Sequence, residues 1–292
     1  MKSTNKIKSP LRYPGGKSRA VKEIWKYIKP LEPKTLCSPF FGGGSLEIFC
    51  AQEGIKVTGY DKFRPLVDFW QELLENPQRL ADKVEKHKPG KFTEKDYKKM
   101  QKKHPKTKNH LVNATEFYVL NRTSHSGNPL AVGMAREKKK DGSIDTNPRF
   151  TMSSIDRLQN FKVENLLSVT CMDFKKSIKK HKKDLMYLDP PYLIESQLYG
   201  NDGKIHKNFD HHGLSEILKK DKKKKWILSY NNIDSIRELY KGHTILEPKW
   251  SYSMATDKKM SEDKKSRELL IFSKDIKVDL DENGELLEIT YI

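Results

Sequence analysis

An α/β fold with a Rossmann-like, largely parallel sheet is predicted for this 292-residue chain. Three observations predict it. Short apolar runs recur, and several end in a carboxylate: Lys56-Val57-Thr58-Gly59-Tyr60 before Asp61, Leu166 to Thr170 before Asp173, and Leu185-Met186-Tyr187-Leu188 before Asp189. Such runs match strands buried on both faces, and segments of helical spacing alternate with them as in βαβ units. A glycine-rich turn, Gly42-Gly43-Gly44, joins the first strand to a helix, as in the first half of a Rossmann-like unit.

In chain order, Leu11-Arg12-Tyr13-Pro14-Gly15-Gly16-Lys17 comes first. Its glycines permit positive φ or close approach of the backbone to a ligand. Ser18 is expected to cap a helix carrying Val21, Ile24, Trp25 and Ile28, ended by Pro30. Gly16-Lys17-Ser18 does not complete a phosphate-binding P-loop, because Leu11 stands where the first glycine is required. A cation is unfavourable near a helix N-terminus, which makes Lys17 a candidate functional lysine. Lys34 to Ser38 is the first predicted strand. Pro39-Phe40-Phe41-Gly42-Gly43-Gly44-Ser45 then leads into a helix with Leu46, Ile48 and Phe49. Its glycines bring backbone N–H groups and a helix N-terminus against a ligand. The spacing is not Gly-x-Gly-x-x-Gly, so a dinucleotide is not indicated. Asp61 closes the second strand, where an acid can bond ribose hydroxyls or simply cap the strand.

A helix through Leu66, Phe69, Trp70, Leu73 and Leu74 ends at Asn76-Pro77. From about Leu80 to Asn109 lysine dominates, which predicts a basic insertion of helices and loops. Asn113 to Leu120 is helical and leads into Asn121-Arg122-Thr123-Ser124. Asp141-Gly142 predicts a hairpin turn flanked by Arg136, Lys138 and Arg149. A basic two-stranded ribbon fits the DNA major groove, and a solvated hairpin is the plainer reading. After Leu185 to Leu188, Pro190 and Pro191 stop the strand, so Asp189 sits at its carboxyl end with Tyr192 just beyond. In open α/β sheets that edge binds ligands. Ile194 to His212 is a candidate lid. His211-His212 lacks the accompanying ligands of a metal site and is expected to start a helix carrying Leu214, Ile217 and Leu218. Trp226 to Tyr230 is a strand, and a helix with Ile233, Ile236 and Leu239 follows it. Thr244 to Leu246 and Leu269 to Phe272 are expected to pair antiparallel, and the tail around Asp281 to Gly284 to form a last hairpin.

The net charge of +18 favours a polyanionic partner, although lysine runs such as Lys222 to Lys225 also fit a solvated surface. Cys37, Cys50 and Cys171 are widely separated, with no Cys-x-x-Cys pair, which predicts reduced thiols and no structural zinc. No apolar run has the length of a membrane span, so the expectation is a soluble cytoplasmic protein, without membrane or metal.

Taken together, the chain from about Leu11 to Ser273 resembles the Dam-type, alpha-group DNA adenine N6-methyltransferases. The resemblance rests on Pro14 to Lys17, Pro39 to Ser45, Asp61, Phe117 to Arg122, Asp189 to Tyr192, and Glu268 to Leu270, all in the family's order. It implies a methyltransferase sheet from residues 1–75 and 161–292, with a target-recognition insertion at 76–160. It implies S-adenosyl-L-methionine as cofactor, held by Tyr13, Lys17, Phe40, Gly42, Gly43, Gly44, Ser45, Asp61, Asp173 and Asp189. It implies catalysis by Asp189, Pro190, Pro191 and Tyr192 on an adenine flipped from double-stranded DNA. DNA contacts are expected from Asn121, Arg122, Ser124, Arg136, Lys138, Arg149, Lys258 and Lys264. The stretch from Thr123 to Met134 departs from that of the GATC readers, so a GATC site is not implied. Further expectations are a bacterial or phage-infected host cell, action as a monomer, and a restriction endonuclease as companion. The acceptor chemistry at Asp189 equally suits cytosine N4 or an RNA adenine, and a non-catalytic nucleic-acid-binding protein is the alternative of another class.

Overall fold

The computed structural model describes residues 6–13, 15–104, 106–128, 133–163, 165–193, 209–220, 223–248 and 268–292. The chain enters helix α1 (Val21–Ile28), which continues into a 3₁₀ turn (Lys29–Leu31). Ser18 does not cap it as expected. Residues 18–20 form a turn, and Ala20 occupies the cap position without a side-chain bond. Strand β1 (Thr35–Ser38), helix α2 (Ser45–Gln52) and strand β2 (Lys56–Asp61) follow. Helix α3 (Arg64–Glu75) and helix α4 (Pro77–Glu85) meet at Asn76, whose side chain accepts from Arg79 N at 2.9 Å. Asn76 thus stops one helix and starts the next, and Pro77 sits in the first turn, where its missing N–H is no loss. Helix α5 (Glu94–Lys103) starts with a reciprocal cap between Thr93 and Asp96.

Helix α6 (His110–Thr123) is longer than its apolar core predicts, because Asn121, Arg122 and Thr123 are buried within it. Strands β3 (Glu137–Lys138) and β4 (Ile144–Asp145) form the expected hairpin, with Gly142 at φ +85° in the turn. Helix α7 (Met152–Gln159) was not legible in the sequence. Next come β5 (Leu167–Cys171), α8 (Phe174–Lys180), β6 (Leu185–Leu188), α9 (His211–Lys220), β7 (Trp226–Asn231), α10 (Asp234–Leu239) and β8 (Thr244–Leu246). The end is β9 (Glu268–Phe272), β10 (Ile276–Leu280) and β11 (Leu286–Tyr291).

Among the described residues seven strands form one mostly parallel sheet in the order β5-β2-β1-β6-β7-β9-β8. β1 and β6 are parallel, with Leu36 beside Leu185, and β6 and β7 are parallel, with Met186 beside Trp226. β9 runs antiparallel to both β7 and β8, as the expected closing pair. β10 and β11 make the predicted last hairpin.

The chain groups into two compact units. The first comprises Met1–Ser18, Phe41–Gly54 and Gly59–Met172, and the second Arg19–Phe40, Ile55–Thr58 and Asp173–Ile292. In the first unit, α3 and α6 pack through rings that are shut off from water. Phe69 stacks on Tyr118 with centroids 5.4 Å apart, and Phe69 also meets Trp70 at 5.2 Å. Full burial of each such side chain contributes roughly 1.5–3 kcal/mol. Asn113 Nδ2 donates to Asp68 Oδ2 at 2.7 Å across these helices, while Asn113 Oδ1 is buried without a hydrogen-bond partner among the described residues. In the second unit, β6 is buried at every position and β7 at all but its last, as expected for strands covered on both faces.

Candidate active site

In the first unit the turn after β1 is tied to the end of β2. Phe41 N donates to Tyr60 O at 2.8 Å and Gly42 N to Asp61 Oδ2 at 3.0 Å. Asp61 Oδ1 accepts from Phe63 N at 2.9 Å, so one carboxylate orients both the glycine turn and the start of α3. Burial raises the Asp61 pKa above its ordinary value, against these backbone donors. The residue as a whole is half-buried. Trp70 Nε1 donates to Gly42 O at 3.0 Å and holds the turn from behind.

The turn has no room for side chains. Gly42 and Gly44 take φ of +49° and +64°, in the left-handed region. A Cβ on Gly43 would lie 2.8 Å from Tyr13 Cβ, and one on Gly44 2.7 Å from the Phe41 ring. Tyr13 packs over Gly42 and Gly43 and remains 38% exposed. Gly16 N donates to Tyr13 O at 3.0 Å, a tight turn with Gly15 at φ +73°. Lys17 follows, buried, with Nζ 3.4 Å from Gly15 O. Tyr13, Gly42, Gly43 and Asp61 are therefore linked by direct contacts, and Lys17 joins them through the turn. Ser45 opens α2 beyond Gly44.

In the second unit Asp189 leaves the end of β6 at the same edge at which Pro39 and Phe40 leave the parallel β1. Pro190 is buried, while Asp189, Pro191 and Tyr192 are half-buried. Tyr192 stacks on Tyr230 with centroids 5.9 Å apart and planes 26° apart. The Tyr230 hydroxyl meets His211 Nδ1, and Asn231 Nδ2 donates to Leu193 O at 2.7 Å. The end of β7 thus holds the Tyr192 ring and the Leu193 carbonyl. Phe40 packs against Phe174 at 5.4 Å and Phe209 at 5.5 Å, an aromatic wall that Phe209 extends to His211 at 4.9 Å. Asp173 caps α8, accepting from Lys175 N at 2.9 Å.

Three of the expected DNA-contacting residues are buried in the first unit. Asn121 is fully buried, donates from Nδ2 to Arg12 O at 2.7 Å and to Gly127 O at 2.5 Å, and accepts from Arg12 N at 3.1 Å. Arg122 Nε donates to Arg149 O at 2.8 Å, and the buried Ser124 hydroxyl reaches Asn121 O at 3.4 Å. Arg136 is exposed and paired with Glu94 at 2.6 Å, and Lys138 is exposed on the hairpin. Arg149 is half-buried, while Lys258 and Lys264 lie outside the described residues.

Sequence reasoning passed over Arg12, Tyr230, Asn231 and the Phe174–Phe209 pair. Arg12 donates to the carbonyls of Ser124 and His125, each at 3.3 Å. Burial and the neighbouring Arg149 and Arg122 charges lower its pKa to about 10. The available signal for Tyr230-Asn231 was its place at the end of another buried strand. Among the described residues no cluster of His, Cys, Asp and Glu could hold a metal, and no helix is long and apolar enough to cross a membrane.

A family model described as D12 class N6 adenine-specific DNA methyltransferase matches residues 13–254. No curated protein matches the chain.

Proposed function

The chain belongs to the D12 class of N6 adenine-specific DNA methyltransferases, and from that premise we propose how its residues bring about transfer to an adenine flipped out of duplex DNA. The observation that carries the reading is Asp189-Pro190-Pro191-Tyr192 at the carboxyl end of β6, on the edge where Pro39 and Phe40 leave the parallel β1. The donor set at that turn fits S-adenosylmethionine: the N-terminus of α2 lies just beyond it, Asp61 is a carboxylate beside it, and the ring that covers Gly42 and Gly43, Tyr13, is itself partly exposed. The cofactor supplies an electrophilic methyl group on a sulfonium. Gly42 to Gly44 and Ser45 would line its amino-acid and ribose portions, with Asp61 accepting from ribose hydroxyls. Phe40 would pack against it, Asp173 would accept from its adenine amino group, and Tyr13 and Lys17 would close over it.

The N6 nitrogen of adenine is a poor nucleophile because its lone pair is delocalised into the ring. The Asp189 carboxylate accepts one amino hydrogen and the Pro190 carbonyl the other. Both favour a pyramidal nitrogen and stabilise the positive charge that grows on it. The two prolines fix these acceptors, Tyr192 stacks on the extruded ring, and alignment contributes the proximity effect. The proton leaves the nitrogen after transfer, so no dedicated base is required. Residues 76–160 are assigned to target recognition. Arg12, Arg122 and Arg149 place mutually repelling charges in this region, and the hairpin exposes Lys138 to Lys140, both features suited to a phosphate backbone.

The test is incorporation of a labelled methyl group from S-adenosylmethionine into duplex DNA, with the product nucleoside identified by mass spectrometry. Asp189→Ala is expected to lose at least about 10²-fold in turnover while cofactor affinity by calorimetry stays within a factor of a few. Wild-type turnover in that variant refutes the assignment. Mapping methylated adenines in treated DNA gives the recognition site, and with it the site at which a companion endonuclease would act.

A further inference from the structure

Strand β7 outlasts its parallel neighbour. The β6 ladder ends with Leu188 beside Leu228, and β7 runs on through Ser229, Tyr230 and Asn231. Residues 189–193 belong to no regular element, and Pro190 and Pro191 have no N–H to donate. Side chains of the overhang take the place of the missing ladder. The Ser229 hydroxyl meets the Tyr187 hydroxyl at 2.7 Å, the Tyr230 ring stacks on Tyr192, and Asn231 Nδ2 donates to Leu193 O. Three successive residues of one strand thus hold the exit of the other, on both sides of the two prolines.

The overhang is itself firmly held. Strand β9 pairs with it, placing Leu270 beside Ser229, Leu269 beside Tyr230 and Glu268 beside Asn231. Tyr230 is fully buried, its hydroxyl meets His211 Nδ1, and its ring packs on His211 at 5.8 Å and Tyr240 at 6.2 Å. Tyr192, by contrast, is half-buried and lies outside any strand or helix. A ring that stacks on a base presents one face to it, and Tyr230 backs the other with planes only 26° apart. Asn231 carries a further sign. Its Oδ1 is buried without a hydrogen-bond partner among the described residues, a cost to folding that an apolar side chain of similar size would not incur. The amide is kept for its bond to Leu193 O, next to Tyr192.

We propose, on the reading above in which Tyr192 stacks on the extruded adenine, that Tyr230 and Asn231 are positioning residues for the transfer: they fix the Tyr192 ring in its stacking pose. A double-mutant cycle on single-turnover methyl transfer, at saturating cofactor and duplex DNA, tests this. Tyr230→Leu and Asn231→Ala are each expected to slow the step at least about tenfold, because misplacing a group that orients the substrate is costly. Cofactor affinity by calorimetry should stay within a factor of a few. Tyr230→Phe keeps the ring and should hold the rate within about threefold of wild type. In a Tyr192→Ala background, Tyr230→Leu and Asn231→Ala should each cost less than about twofold more, since the ring they place is gone.

Losses that multiply in that background mark a purely structural role and overturn the assignment. So does a wild-type rate in Tyr230→Leu, Asn231→Ala or Tyr192→Ala, or a Tyr230→Phe rate as low as that of Tyr230→Leu. Each of these results leaves the methyltransferase reading standing. Absence of methyl transfer by the wild type overturns that reading and this assignment together. If one of the two variants fails to fold, the other, melting like the wild type, decides.

Discussion

Asn121→Ala is the perturbation that most directly separates a structural latch from a base reader. The Asn121 amide makes three bonds to backbone, two to Arg12 and one to Gly127. Alanine leaves one N–H and two carbonyls without it. An unpaired buried group costs about 1–3 kcal/mol. Arg12 is half-exposed and regains water in part, while Gly127 O does not, so the expected loss is about 2–4 kcal/mol. At ~2–4 °C per kcal/mol for a chain of this size, the melting temperature falls by about 5–15 °C. Asn121→Asp is expected to melt lower still at neutral pH, because a carboxylate oxygen then faces the carbonyls of Arg12 and Gly127. Differential scanning calorimetry measures both, and duplex binding is measured below the lower melting temperature. DNA affinity should fall by a similar factor on cognate and unrelated duplexes, since the segment carrying Tyr13 loosens. An Asn121→Ala protein that melts within about 1 °C of wild type but no longer discriminates its site would refute the latch.

Three further outcomes are expected. Gly59→Ala places a methyl 2.1 Å from the Phe41 ring, which Trp70 hems in at 5.2 Å; the urea midpoint should drop by the equivalent of about 1–3 kcal/mol, and an unchanged midpoint would contradict the packing. Burial pushes the Cys37 and Cys50 thiols up, so a thiol reagent should label Cys171 alone in the native protein and all three cysteines in denaturant, counted by mass spectrometry. The raised pKa of Asp61 means that its protonated form is favoured by folding, and stability from this group is lost as pH rises through the raised value. A ligand hydroxyl donating to Asp61 prefers the carboxylate, so cofactor affinity should be full above that pKa and decline as pH falls through it. Calorimetry should find this acid-side decline absent in Asp61→Asn.

The sheet and the carboxylates at its strand ends were legible because their signals are local. Apolar runs ending in Asp61, Asp173 and Asp189 mark strands and their ends without knowledge of partners, and Asp141-Gly142 marks a turn by its backbone needs. Helix α7 was missed because Met152 to Gln159 carries few apolar residues; Ile155 and Leu158 are its buried hydrophobics, and the Ser154 hydroxyl turns back onto Thr151 O at 2.6 Å. Asn121, Arg122 and Ser124 show a deeper limit. Polar residues at a helix end suggest an outward, ligand-facing role, and only tertiary structure reveals that their donors face the protein's own carbonyls. Lys224 carries the same lesson, since a lysine run gives no hint that one member is buried.

The place of β9 bears on how this protein can be made and divided. Its five residues slot between β7 and β8, so two strands completed earlier in synthesis wait for a third to join them. Leu270 pairs with Ser229 on one side and Leu246 on the other. Until Glu268–Phe272 has been translated, the β7 edge beyond β6 presents unpaired backbone, which invites pairing with other chains. A fragment cut at the family boundary, residue 254, retains both flanking strands and lacks the one that joins them. Expression of such a fragment should yield aggregate, and co-expression of a segment beginning before Glu268 should restore soluble protein.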